Sequence, residues 1–210
     1  MNLHPDHLEN LRRSGLSDET ILEAGIESVP PDEIGKICLE SVGYVPAGIT
    51  SMYRIPYPRV NGFCRHKPLY KEGKGEPKYL QKRNSGNRLY IPEKARAVLN
   101  DPAVPLYFTE GEKKALKACQ EGLACIGLSG LWNWKNKGSK ELILDFDLII
   151  FTNRTVYIVP DNDWLEPNRH GYKKNLEEAV KELAYRLIKR GARVFIVQLP
   201  KGINNENGIG

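Results

Sequence analysis

The chain has 210 residues, 40% of them hydrophobic and 27% charged, which is enough to bury a sizeable core and ordinary for a globular protein rather than a disordered one. Net charge is +5, but residues 1–50 carry 3 Lys/Arg against 9 Asp/Glu, and residues 51–90 carry 10 against 2. A basic block beside an acidic one points to a polyanion-facing surface, with a solvated basic face as the alternative.

No apolar run approaches the roughly 20 residues of a membrane span, and Met1 to Asn10 carries His and Asp where a signal peptide is basic and then apolar, so the chain reads as cytoplasmic. The four cysteines, Cys38, Cys64, Cys119 and Cys125, form no C-x-x-C pair, which argues against structural zinc and a disulfide framework.

The first predicted element is a short helix through Leu8 and Leu11, ended at Ser14-Gly15. A second starts on the cap Ser17, followed by Asp18 and Glu19, and stops at Gly25. Helix, glycine turn, helix is compatible with a DNA-binding element, but the acidic balance favours a packing or partner-docking hairpin. His4 and His7 have ligand spacing in an expectedly exposed start, and no metal is assigned to them. Residues 1–50 form an acidic helical segment.

Residues 51–104 read as a basic, β-rich module. Short apolar and aromatic stretches broken by Pro and Gly give candidate strands at Tyr53 to Tyr57, Gly62 to His66, Lys78 to Leu80 and Arg88 to Ile91. Arg65, Lys67, Lys78, Lys82, Arg83 and Arg88, interleaved with Tyr53, Tyr57, Phe63 and Tyr79, suit phosphate contact plus base stacking, although most of the aromatics are expected in the core.

From residue 105 to 210 the rhythm is strand, helix, strand, the signature of a parallel sheet in an α/β domain. Leu106 to Thr109 is a strand, Gly111 to Gln120 a helix and Ala124 to Leu128 a second strand. Leu142 to Phe151 is apolar without a clear period. Thr155 to Val159 is a third strand; Leu176, Ala179, Val180, Leu183, Leu187 and Ile188 share one face of a long helix ended by Gly191; Val194 to Leu199 is a fourth strand. Lys113 and Lys114 fall early in an amphipathic helix and are expected on its solvated face, with phosphate contact as the alternative.

Two acidic motifs fall at carboxyl ends of these strands: Thr109-Glu110-Gly111-Glu112 and Pro160-Asp161-Asn162-Asp163. Open α/β sheets bind ligands at that edge. Asp161 and Asp163 are two residues apart, so in extended backbone they project to one side, where Glu110 from another strand can join them. Crowded carboxylates repel, and a hard cation with oxygen ligands resolves the conflict. Trp132 and Trp134, around Asn133, are either a stacking surface or packing of an irregular loop.

Together, the glutamate-glycine motif, the D-x-D and the four-strand order resemble a Toprim domain, shared by bacterial-type primases, type IA and type II topoisomerases and some nucleases. Thr109-Glu110-Gly111-Glu112 is most similar to phage helicase-primases and the primase-like proteins of plasmids and phages, and the basic lead-in ending Lys78-Tyr79-Leu80 fits that branch. The resemblance covers residues 105 to 200. It implies a Toprim-like, Rossmann-type parallel sheet of about four strands flanked by helices, behind the helical segment and the basic module.

The resemblance implies that Glu110 is a general acid/base or metal ligand, that Asp161 and Asp163 hold Mg2+ or Mn2+, and that Ser129-Gly130 forms a turn of close backbone approach. The implied activity is phosphoryl transfer by a primase-like nucleotidyltransferase, with single-stranded DNA or RNA and nucleotides as partners. A Toprim nuclease and a non-catalytic nucleic-acid-binding or docking module are the alternatives. Leu199-Pro200-Lys201-Gly202 resembles the lead into the family's last acidic motif, but Asn204 and Asn205 follow instead of acids. No G-x-x-x-x-G-K-[ST] phosphate loop is present in the sequence, so any helicase function belongs to a partner or another domain.

Overall fold

The structure is a computed structural model that describes residues 3–71, 75–162, 164–165 and 175–200. The chain divides into two compact units, Met1–Gly86 and Asn87–Gly210.

In the first unit, α1 (Pro5–Arg13) and α2 (Asp18–Glu23) form the expected hairpin. Ser17 Oγ accepts the Thr20 amide at 3.2 Å and so satisfies one of the orphan donors of α2. The hairpin packs inward: Leu11 and Ile21 are buried, and the Tyr53 hydroxyl donates to Asn10 Oδ1 at 2.9 Å. His7, expected in an exposed start, is buried, with Nδ1 2.6 Å from Ser28 Oγ. Burial, and to a lesser degree His4, lower its pKa.

A three-stranded antiparallel sheet follows in the order β1 (Glu27–Ser28), β2 (Ile49–Pro56), β3 (Cys64–Tyr70). Between β1 and β2 lies α3 (Pro31–Ser41), a helix not evident from the sequence pattern. It opens on Pro31, whose missing N–H costs nothing in a first turn, and contributes Cys38 to a core with Val29, Met52 and Leu80. The candidate strand at Lys78 to Leu80 reduces to a bridge between Leu80 and His66.

The second unit is the α/β domain. Its sheet is parallel, in the order β5 (Cys125–Leu128), β4 (Leu106–Glu110), β6 (Thr155–Val159), β7 (Arg193–Ile196). Helices α5 (Glu112–Gln120) and α6 (Leu176–Lys189) make the crossovers, with α4 (Glu93–Arg96) ahead of the sheet. Tyr90 bridges to Gly127 and so covers the outer edge of β5. Leu142 to Phe151, without a clear period in the sequence, contains a 3-10 turn at Leu144–Leu148, whose Phe146 stacks on Phe108 of β4 at 5.6 Å between centroids.

One fixture is hidden from sequence reading. Arg154 is fully buried; its guanidinium donates to the carbonyls of Leu99 at 2.9 Å, Val98 at 2.7 Å and Asp101. Carbonyl oxygens satisfy a buried cation that hydrocarbon would not. Among the described residues no helix is long and apolar enough to cross a membrane.

Candidate metal centre and nucleic-acid interface

The strand order creates the site. From β4 the chain crosses to β5 on one side and then returns to β6 on the other, so β4 and β6 flank a topological switch point, the place at whose carboxyl ends open α/β sheets bind ligands. Register pairs Thr109 with Val159, and Glu110 is the last residue of β4 while Asp161 lies two residues past β6. Neighbouring strands run about 4.8 Å apart, so the backbones bearing Glu110 and Asp161 leave the sheet side by side at the same edge. Asp163 lies outside the described residues.

Two glycines bring α5 close to this edge. Gly111, between β4 and α5, has φ +97°, which L side chains rarely adopt. Gly127 on β5 lies against it: a Cβ at Gly127 would stand 2.9 Å from the Gly111 carbonyl oxygen and 3.3 Å from Ala115 Cβ. The chain therefore turns from Glu110 directly into α5, whose first turn packs closely on β5.

Lys114, expected on a solvated face, projects from that turn onto the acidic edge, and its ammonium donates to Asp161 Oδ1. Glu112, two residues earlier in the same turn, is buried beneath the helix with Ala115, Leu116 and Cys119. Thr109 Oγ1 donates to the Val159 carbonyl at 3.1 Å and ties the ends of β4 and β6 together just below the two acids.

Among the described residues no three of His, Cys, Asp and Glu gather around one point. The donors that are described, a glutamate and an aspartate on adjacent strand ends, are the hard oxygen ligands magnesium takes, usually one or two carboxylates with waters or phosphates completing the octahedron.

The six basic residues read as nucleic-acid contacts are placed differently from one another. In the first unit Arg65 and Lys67 lie over the ring of Tyr79, at 4.7 and 5.0 Å from its centroid, and Lys78 is exposed. Burial, then Lys78, lower the Lys67 pKa. Lys82 pairs with Glu40 at 3.5 Å, and Arg83 donates to the carbonyls of Ser41 and Val42 at the end of α3. Arg88 belongs to the second unit and pairs at 3.3 Å with buried Asp145, whose other oxygen accepts the Leu89 amide.

The loop after β5 is tied down rather than open. Trp134 is buried and donates to the Ala179 carbonyl at 3.2 Å, which makes it packing; Trp132 donates to Asn175 Oδ1 at 3.1 Å. Asn87 donates to the Lys135 carbonyl at 2.6 Å, and Asn133 donates to Ser129 Oγ at 3.0 Å.

A family model described as a domain of unknown function, DUF3854, matches residues 96–209. The chain belongs to the DUF3854 family. No curated protein matches it. Solved structures do: the Aquifex aeolicus primase (zinc-binding and RNA polymerase domains) aligns with a TM-score of 0.60 at 16% identity, covering 96% of this chain and 51% of that one. The DnaG catalytic core and the DnaG primase catalytic domain bound to ssDNA each align with a TM-score of 0.57 at 16% identity; both cover 96% of this chain, and 67% and 68% of their own.

This DUF3854 chain thus spans about half the length of the Aquifex aeolicus primase chain. Its fold is that of the primase catalytic cores, a Toprim-like α/β domain with a four-stranded parallel sheet flanked by helices.

Proposed function

We propose that the chain carries out Mg2+-dependent phosphoryl transfer on nucleic acid at the carboxyl edge of β4 and β6, as a primase-like nucleotidyltransferase. The observation that supports this reading is the parallel pairing of β4, which ends on Glu110, with β6, which ends two residues before Asp161, at the switch point of the sheet. The primase fold of its neighbours supports it.

In this reading Asp161 and Asp163 hold Mg2+, for which Mn2+ can substitute, and Glu110 is a further ligand or the group that takes the proton of the attacking hydroxyl. A bound cation there supplies charge stabilisation at the phosphate oxygens and at the leaving oxygen. Thr109 keeps the two acidic strand ends in register.

The basic module of residues 51–104 binds the template, single-stranded DNA or RNA, through Arg65, Lys67 and Lys78, while Lys82, Arg83 and Arg88 combine fold contacts with phosphate attraction. One of the neighbouring structures is a catalytic domain bound to ssDNA, which agrees with this assignment. In this reading the chain serves cytoplasmic replication of a plasmid, phage or other mobile element beside a helicase supplied by a partner, a setting supported by the resemblance of Thr109-Glu110-Gly111-Glu112 to the primase-like proteins of such elements.

The test is incubation with single-stranded DNA, labelled nucleotides and Mg2+ or Mn2+, read on a denaturing gel beside Glu110→Gln. Metal-dependent primers that vanish in the variant support the proposal. Shortened strands instead of primers identify a nuclease, and absence of any metal-dependent product identifies a binding module.

A further inference from the structure

The salt bridge between Lys114 and Asp161 is built into the mouth of the proposed cation site. Lys114 stands in the first turn of α5, where side chains lean back toward the helix start, and here that direction leads to the sheet edge. Gly111 and Gly127 hold this turn close to the strand ends, so the reach of Lys114 follows from backbone geometry. Its partner is 47 positions away in the sequence.

The pairing changes the electrostatics of the edge. Two neighbouring carboxylates without a counter-ion repel, whereas here an ammonium already balances one of them. A divalent cation that takes Asp161 Oδ1 must displace that ammonium or share the oxygen with it, and two cations on one carboxylate oxygen repel.

We propose that Lys114 is the resident counter-ion of the cation site: it holds Asp161 in place, competes with the divalent metal for the same oxygen and so sets the metal affinity of the edge. The inference rests on the reading of the cation site given above. Lys114 is a positioning residue here, acting through Asp161, and its side chain is half exposed, so it can swing aside without disturbing the core.

The experiment is titration of the full chain with Mn2+, following the loss of the free-ion signal by electron paramagnetic resonance, for the parent, Lys114→Met and Lys114→Arg. Removing an exposed ion pair and one nearby positive charge should tighten Mn2+ about three- to tenfold in Lys114→Met. Lys114→Arg, which keeps the charge, should stay close to the parent. Circular dichroism of each variant checks that the fold is retained.

Equal or weaker Mn2+ binding by folded Lys114→Met, beside clear binding by the parent, overturns the counter-ion role and leaves the cation site standing. Absence of Mn2+ binding by parent and variants alike removes the cation site and the counter-ion role with it.

Discussion

Gly127→Ala tests the close approach that shapes the acidic edge. The added Cβ would lie 2.9 Å from the Gly111 carbonyl oxygen and 3.3 Å from Ala115 Cβ, and a real Cβ essentially never comes within 3.0 Å of such an atom. The strand cannot retreat freely, because the Gly127 amide donates to Tyr90 at 2.8 Å and its carbonyl accepts from Tyr90 at 2.9 Å on the far side. The first turn of α5 must therefore lift by a few tenths of an ångström. Overpacking of this kind costs about 1–3 kcal/mol. For a unit of this size that is a fall in Tm of roughly 4–12 °C, read by calorimetry or circular dichroism. The same displacement moves Glu110 and Lys114 relative to Asp161, so metal affinity should change as well. A Tm within a degree of the parent would refute the close approach and the shape argument built on it.

Stability should also depend on pH through His66, whose pKa is pushed down to about 4, mainly by burial and secondarily by Arg54. The unfolded chain takes up a proton near pH 6.5 while the folded one stays neutral, so stability is full above pH 6.5 and falls as pH drops toward 4, by about 3 kcal/mol at most from this group. The gap between urea midpoints at pH 7 and pH 5 should narrow in His66→Gln, the remainder coming from other groups such as buried His7; an undiminished pH dependence in that variant contradicts the assignment. Replacing Arg65, Lys67 and Lys78 together by Ala should weaken binding of single-stranded DNA and flatten its salt dependence by up to about three phosphate contacts, with little effect of base sequence. Fluorescence anisotropy across a salt series checks this, and a slope equal to the parent's would leave the module a scaffold.

What the sequence disclosed follows from what is local. The strands β4, β5, β6 and β7 are short apolar runs between turns, and α6 shows its buried face, Ala179, Val180, Leu183 and Leu187, at helical spacing. The acidic motifs were legible because strand ends are, and in a parallel sheet strand ends of like direction share an edge. Partners distant along the chain were not legible. Lys114 looks solvated until β6 brings Asp161 beside it, and the fold contacts of Arg83 with the end of α3 and of Arg88 with buried Asp145 likewise join residues far apart in the chain. Helix α3 escaped because two prolines and Gly35 mask a face that buries only Cys38 fully. His7 carries a polar label, and only the fold reveals that Ser28 accommodates it in the core.

In the function proposed above, the carboxyl edge of β4 and β6 binds a divalent cation through its acids. Calorimetric titration with Mg2+ of the parent and of Asp161→Asn tests it most directly. Loss of one charged ligand should weaken Mg2+ by roughly tenfold or more, since affinity at oxygen sites follows the ligand charge count. The fold should persist, because Asp161 lies at the exposed end of the sheet. Mg2+ affinity in folded Asp161→Asn equal to that of the parent would contradict the assignment.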